Sequence, residues 1–157
     1  MIDFPIVDTH LHVWDPERID YPWLADVPFL NRSFLIGDYQ KACGSVDVEK
    51  MVFVQAEADS AQYSEEVEGV STVAGEDPRI SGIVAWAPLE KGNDVDGALS
   101  ALAANPLVKG IRRIIQFEPD IDFCLRPDFV RGVQLLPDHG LSFDICINHH
   151  QMANTIR

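Results

Sequence analysis

Two histidines end a hydrophobic segment near the N-terminus of this chain. His10 and His12 lie in IVDTHLHVWD, residues 6–15, and Asp8 precedes them at the same spacing. Alternate residues of a β-strand lie on one face, so two imidazoles at this spacing can converge on one ion or one substrate oxygen. The spacing predicts a catalytic pair that can also ligate a metal. Asp8 is expected on the same face, where it would orient a histidine or bond the floor of the site.

A pair of arginines provides the second candidate group. In KGIRRIIQ, residues 109–116, Arg112 shares a face with Gly110 and Gln116, and Arg113 lies on the opposite face. A buried guanidinium requires an anionic partner, and its planar fork suits a carboxylate or another substrate oxygen. Arg112 is therefore predicted to take part in the reaction, with a salt bridge to Asp8 or Glu57 as the alternative. Arg113 is expected to pair with an acidic residue of a helix.

Further polar and aromatic side chains fall near the ends of other hydrophobic segments. Those predicted to contact substrate are Trp14, Tyr21, Trp23, Gln55, His149 and His150. The three aromatics belong to one long loop, which is interpreted as a pocket wall or lid, or else as a loop packed for stability. Alternation favours His150 over His149 as the residue that faces the site, although bulges at strand ends leave both possible.

These residues must be positioned by alternating strands and helices. Short apolar runs bounded by Gly, Pro, Asp or Asn predict five strands, at Ile6–His12, Met51–Glu57, Ile80–Pro88, Gly110–Gln116 and Leu141–Asn148. Amphipathic or alanine-rich segments predict helices at Ile36–Gly44, Tyr63–Ala74, Asp94–Asn105 and Pro127–His139. Strands that are apolar on both faces and alternate with helices indicate parallel βα units.

Two architectures satisfy this alternation, an open doubly wound sheet and a TIM (β/α)8 barrel. No glycine-rich phosphate-binding motif follows any predicted strand, which counts against the nucleotide-binding sheets. A complete barrel needs about 250 residues. The 157 residues are therefore predicted to form one domain, residues 1–157, that holds the first five βα units of a barrel and is truncated after them. Open sheet edges predict association, for example as a homo-oligomer.

Composition limits the partners and the compartment. The formal net charge of −13 disfavours nucleic acid and anionic membranes, and leaves a small molecule as the expected partner. The sequence has no membrane-length apolar run and no signal-peptide pattern at its N-terminus. Three cysteines without close spacing are typical of reduced thiols, which predicts a cytoplasmic protein.

Five segments taken together resemble a known family. VDTHLHVWD, FVQAE, VAWAPLE, VKGIRRIIQ and FDICINHHQ occur in this order. They resemble the amidohydrolase-related metal-dependent hydrolases, in particular the sugar-lactone hydrolases and the 2-pyrone-4,6-dicarboxylate lactonases. The resemblance covers essentially the whole chain. It implies an amidohydrolase-type barrel with its site at the C-terminal ends of the strands.

The resemblance also implies a reaction, the attack of water on the carbonyl of a cyclic ester such as fuconolactone, rhamnonolactone or a carboxylated lactone. His10 and His12 match the strand-one histidines, and Arg112 matches the strand-four substrate arginine. The carbonyl would be polarised either by one divalent ion, with zinc favoured, or directly by the histidines; both mechanisms stay open. The strand-six histidine and strand-eight aspartate of the family would follow residue 157, so activity of the 157 residues alone is doubtful. The alternatives are decarboxylation of an aromatic acid and an inactive fragment.

Overall fold

The computed structural model describes residues 4–157 and alternates strands with helices. Strands β1 to β5 are Ile6–Leu11, Val48–Val54, Ile80–Ala85, Val108–Ile111 and Ser142–Phe143. Helices α1 to α5 are Ile36–Cys43, Tyr63–Glu76, Asp96–Ala103, Pro127–Leu135 and Met152–Thr155. All five predicted strands and all four predicted helices are present, which confirms the alternation read from the hydrophobic pattern.

The strands follow one another across the sheet in the order β1-β2-β3-β4-β5. β1 pairs with β2 in parallel, and β4 pairs with β5 in parallel. Neighbouring parallel strands joined by helices are the arrangement expected of consecutive βα units. Among residues 4–157, none of the helices combines the length and the apolar character needed to cross a bilayer.

The chain divides into two compact units, and the boundary falls within β3. The first extends to Ile83 and contains β1, α1, β2 and α2; its core includes Met51, Phe53 and Val70. The second, Val84–Arg157, contains β4, α3, α4 and β5. Its core includes Leu99 and Ile111.

All five predicted strands are shorter at their C-terminal ends than the sequence suggests. The strands β1 to β5 stop in turn at Leu11, Val54, Ala85, Ile111 and Phe143, so the polar residues that follow, His12 included, lie outside them. Some ordered pairing continues beyond them, because Arg112 N donates to Ala85 O at 2.8 Å. The apolar sequence pattern indicates which residues are buried, and buried residues continue past the last regular hydrogen bond between strands.

A close approach in the second unit depends on a glycine. α4 begins at Pro127, as predicted, and packs on the 3-10 helical segment Leu89–Val95. A Cβ atom added to Gly132 would overlap the carbonyl oxygen of Leu89 and lie 2.8 Å from its carbonyl carbon. Only a residue without a side chain allows the helix to sit this close.

Candidate functional site

The first strand brings its two histidine rings together. Nε2 of His10 lies 3.0 Å from Nε2 of His12, and the rings meet edge to face with their centroids 4.8 Å apart. His12 is half-buried and His10 is exposed. The sequence prediction that the two imidazoles converge is therefore consistent with this geometry.

A backbone carbonyl determines the tautomer of His12. Its Nδ1 lies 2.8 Å from the carbonyl oxygen of Val54, the last residue of β2. The oxygen can only accept, so Nδ1 carries the proton and Nε2 of the neutral ring is the acceptor. Nε2 of His10 is then the donor within the pair. This arrangement fixes the ring of His12 and directs its lone pair toward His10.

The histidine pair fits two ligands of a single divalent ion. Two nitrogens bound at 2.0–2.1 Å to one tetrahedral ion are about 3.3 Å apart, and the observed 3.0 Å differs from that by about 0.3 Å. Orientation of a ligating imidazole by a carbonyl on its other nitrogen is the usual arrangement at metal sites. Within residues 4–157 no group of three or more His, Cys, Asp or Glu side chains has the geometry of a metal centre. Metal ligation by His10 and His12 stays a prediction.

Asp8 is bonded to a helix instead of to an imidazole. Its Oδ2 accepts a 2.7 Å hydrogen bond from the hydroxyl of Tyr39 in α1, and its Oδ1 accepts one from the backbone nitrogen of His10 at 3.1 Å. The pairing of β1 with β2 shifts register between Asp8 and Leu11. A bulge of this kind breaks strict alternation. Burial, and then the hydrogen bond to Asp8, raise the pKa of Tyr39. Asp8 thus orients the backbone at His10.

Two of the three predicted aromatic wall residues pack against each other. The rings of Trp14 and Trp23 are 5.6 Å apart, and Trp14 also stacks on Phe34 at 4.6 Å. Trp14 and Phe34 exchange backbone hydrogen bonds of 3.0 and 2.9 Å, which closes the base of the long loop. These contacts anchor the loop, in agreement with the alternative of a loop packed for stability. Contact of Trp14 or Trp23 with substrate stays a prediction.

Tyr21 and Trp14 line a cavity of about 510 Å³ between the loop and α2. Tyr21 is buried, and its pKa is raised by burial and then by the nearby carboxylates of Glu66 and Asp15. Neither His10 nor His12 is among the residues that line this cavity. The predicted role of Tyr21 as a wall beside the histidines stays untested, and its observed contacts are with α2.

The segment after β2, residues 55–57, contains an unusual backbone conformation. Glu57 has a φ of 58°, and no other non-glycine residue in the described chain has a positive φ. This left-handed conformation costs roughly 1 kcal/mol for a residue without a short polar side chain. Gln55, which is completely buried, accepts from the Glu57 nitrogen at 2.6 Å and donates to Glu57 Oε1 at 2.7 Å. The amide of Gln55, predicted to contact substrate, thus holds Glu57.

Ala56, in the middle of this segment, is held by two side chains from other elements. The nitrogen of Ala56 donates to Oε1 of Glu66 at 3.0 Å, and its carbonyl accepts from the indole nitrogen of Trp23 at 2.8 Å. Glu66 is a buried residue of α2, and Trp23 belongs to the first loop. The segment is therefore fixed by α2, through Glu66, and by the first loop, through Trp23.

The arginines of the second unit differ in their surroundings. Arg112 is buried, as predicted for a residue with a binding role. Arg113 forms ion pairs with Glu90 at 3.2 Å and with Glu118 at 2.6 Å, which confirms its expected pairing with an acidic residue of a helical segment. The binding of substrate by Arg112 stays a prediction.

The two C-terminal histidines begin the 3-10 helix His149–Gln151. Both side chains are exposed, and their rings are 5.5 Å apart. The strand β5 ends at Phe143, so strand alternation does not apply to either ring. Their predicted contact with substrate stays a prediction.

Some residues of the site region were not identified from the sequence. Tyr39 and Glu66 lie on helices. Tyr39 bonds Asp8 of β1 from 31 residues away, and Glu66 bonds the Ala56 nitrogen just after β2 from 10 residues away. The signal for Glu66 is a glutamate on the buried face of an amphipathic helix, beside Val67 and Val70. The conformation of Glu57 has no signal, because glutamate has no preference for a positive φ.

Comparison with known proteins identifies the family. The family model described as "Amidohydrolase" matches residues 7–157. The chain therefore belongs to the amidohydrolase family, and the resemblance carried by the five sequence segments is confirmed.

Curated relatives extend well beyond the matched region. An uncharacterized protein of Sinorhizobium fredii is 28% identical over 169 residues, covering 97% of this chain and 57% of the relative. An L-fucono-1,5-lactonase of Burkholderia ambifaria is 25% identical over 142 residues, covering 90% of this chain and 47% of the relative. The chain spans about half the length of these curated relatives.

Solved structures confirm the predicted fold. An amidohydrolase from Burkholderia multivorans with bound zinc has a TM-score of 0.75 and 25% identity, over 94% of this chain and 51% of that one. A probable 2-pyrone-4,6-dicarboxylic acid hydrolase from Acinetobacter baumannii with citric acid bound has a TM-score of 0.64 and 14% identity, over 88% and 48%. The chain has the α/β fold of the N-terminal part of an amidohydrolase TIM barrel.

Proposed function

We propose that this chain contributes the strand-one histidine pair to a hydrolase that opens a cyclic ester, with a sugar lactone as the substrate. The observation that carries the proposal is the 3.0 Å approach of the His10 and His12 Nε2 atoms, with His12 oriented by the Val54 carbonyl. Membership of the amidohydrolase family and the similarity to a fuconolactonase support this substrate class.

The histidine pair would act on the carbonyl oxygen of the ester. Without an ion, the Nε2–H of His10 would exchange its hydrogen bond to His12 Nε2 for one to that oxygen, while Val54 keeps His12 in place. If an ion is bound, both Nε2 atoms would hold it, with the His10 proton on Nδ1. A divalent ion held there, for which zinc is the favoured candidate, would supply a Lewis acid that polarises the carbonyl. Arg112 is proposed to hold a second substrate oxygen.

The reaction is tested with the protein that contains this chain and a panel of lactones. Opening a lactone releases an acid, which a pH indicator records continuously. The proposal expects turnover of L-fucono-1,5-lactone or a related sugar lactone. Release of CO₂ from an aromatic acid, with no lactone opened, would establish the decarboxylase alternative instead. No turnover of either class would identify an inactive remnant.

The role of the pair is tested with His12→Asn. The asparagine amide can still donate to the Val54 carbonyl, but it places no group at the position of Nε2. We expect at least a 100-fold loss of kcat/KM with an unchanged melting temperature. His139→Gln is the matched control, because His139 bonds to Asp96. Retention of the full rate by His12→Asn would refute the role.

Metal binding is measured separately, by titrating the metal-free protein with Zn²⁺ in a calorimeter. If the two rings are ligands, both His10→Gln and His12→Gln weaken binding at least tenfold, and His139→Gln leaves it unchanged. Equal binding by all variants, or activity that resists chelators, would leave only direct polarisation of the carbonyl by the histidines.

A further inference from the structure

The segment after β2, residues 55–57, includes a glutamate, Glu57, whose backbone has a conformation that glutamate does not favour. Glu57 is a half-buried glutamate with a φ of 58°. A glycine would adopt this conformation without strain, and an asparagine at little cost. Strained backbone of this kind persists only where the surroundings determine it, and it concentrates at functional sites.

The surroundings determine it from three directions. The nitrogen of Ala56 is held by Glu66, and its carbonyl oxygen is held by Trp23. Gln55 then bonds both the backbone nitrogen and the Oε1 atom of Glu57. If this segment served only to direct the backbone, the hydrogen bonds to its backbone groups would suffice. The additional bond from Gln55 to Oε1 orients the carboxylate itself.

The segment follows directly on the residue that fixes one ring of the histidine pair. The Val54 carbonyl bonds His12, and Glu57 follows Val54 by three residues. Three residues span at most about 11 Å, and a positive φ shortens that path. Glu57 is therefore tied to His12 through a short stretch of backbone. A substrate whose carbonyl lies at the histidines is expected to extend toward Glu57.

We propose that Glu57 binds hydroxyl groups of the substrate and thereby selects neutral, polyhydroxylated lactones over lactones that carry carboxylates. This inference rests on the proposed function. A carboxylate is an acceptor for two neighbouring hydroxyls, and it repels an anionic group at the same position. Gln55 is the positioning residue, and Glu57 is the group that contacts the substrate.

The test compares three lactones in wild type and in Glu57→Gln. The glutamine can keep the bond from Gln55 and removes only the charge. With L-fucono-1,5-lactone we expect kcat/KM to fall roughly 10- to 100-fold, mainly through KM, which is the worth of a hydrogen bond to a charged group. With δ-valerolactone, which has no hydroxyls, the two proteins should have equal rates. With 2-pyrone-4,6-dicarboxylate the variant should be at least as active as wild type.

The matched control is Glu49→Gln, which removes one negative charge from an exposed residue of β2. It should behave as wild type with all three lactones. If Glu57→Gln loses the same factor on δ-valerolactone as on the hydroxylated lactone, the residue acts only through the fold, and the inference is overturned. Wild-type kcat/KM for Glu57→Gln on every lactone overturns it as well.

A binding measurement separates this inference from the reaction. L-fucose offers the same ring hydroxyls without an ester, and its binding is measured by calorimetry. We expect at least tenfold weaker binding by Glu57→Gln than by wild type or Glu49→Gln. If no lactone is hydrolysed but this difference is found, the proposed reaction fails and the role of Glu57 stands. Equal binding by the three proteins refutes the role, whatever the reaction proves to be.

Discussion

Replacing Gly132 by alanine should destabilise the second unit by an amount that the contact distances determine. The added Cβ would overlap the Leu89 carbonyl oxygen and lie 2.8 and 3.0 Å from the Leu89 carbonyl carbon and Cα. Favourable carbon–carbon contacts are about 3.5–4.0 Å, so the 2.8 Å contact alone requires α4 to move outward by roughly 0.7–1.2 Å. The clash is with backbone, which cannot rotate away as a side chain can. Leu89 is completely buried, so the movement opens space in the core.

Overpacking of this kind costs about 1–3 kcal/mol, and the higher helix propensity of alanine returns about 0.5–1 kcal/mol. The net loss is therefore about 1–2 kcal/mol. Gly69 in α2 is the matched control, because a Cβ there meets nothing within 4 Å. Gly69→Ala should gain the 0.5–1 kcal/mol alone. The two changes from wild type have opposite signs, so the variants should differ from each other by about 1.5–3 kcal/mol.

Urea unfolding followed by circular dichroism measures both variants. With a slope of about 2 kcal/mol per molar urea, the midpoint should fall by roughly 0.5–1 M for Gly132→Ala and rise by a few tenths for Gly69→Ala. If both variants rise together, helix propensity alone governs these positions, and the inferred contact between α4 and Leu89 is refuted.

Three further predictions concern the first unit. The Arg79 guanidinium lowers the pKa of Asp77 from 3.8 to about 2, so its stabilisation is present above pH 3.8 and is lost as the pH falls through 2. Asp77→Asn should cost about 1–2 kcal/mol at pH 6 by urea unfolding, and the difference from wild type should shrink below about pH 4 and vanish only below about pH 2. A constant difference would contradict the ion pair. Tyr39→Phe should cost about 1 kcal/mol, because Asp8 loses its hydroxyl partner, and an unchanged urea midpoint would argue against that bond. Trp23→Phe removes the donor to the Ala56 carbonyl and should speed hydrogen exchange of the Ala56 amide, which Glu66 holds. Protection equal to wild type would contradict a joint hold of Trp23 and Glu66 on Ala56.

The order of strands and helices could be predicted from the sequence because each strand is an apolar run closed by turn residues. The convergence of His10 and His12 could be predicted for a related reason, since spacing of two in a strand places side chains on one face. The same rule did not indicate the bond of Asp8 to Tyr39 of α1, and no residue type announces the register shift that follows Asp8. The bonds of Glu66 and Trp23 to Ala56 were also invisible, because they depend on how a helix and a loop pack against the segment after β2.

The double hold on Ala56 restricts how this protein can change over evolutionary time. A long loop is ordinarily the easiest part of a chain to lengthen, shorten or exchange with a homologue. Here Trp23 in the loop and Glu66 in α2 bond the two backbone groups of a single residue, Ala56, so a loop transplanted without its own indole donor would leave a carbonyl oxygen without that bond. The loop, the segment after β2 and the helix should therefore be inherited together. Recombination experiments that shuffle segments among relatives should retain function only where all three come from one parent.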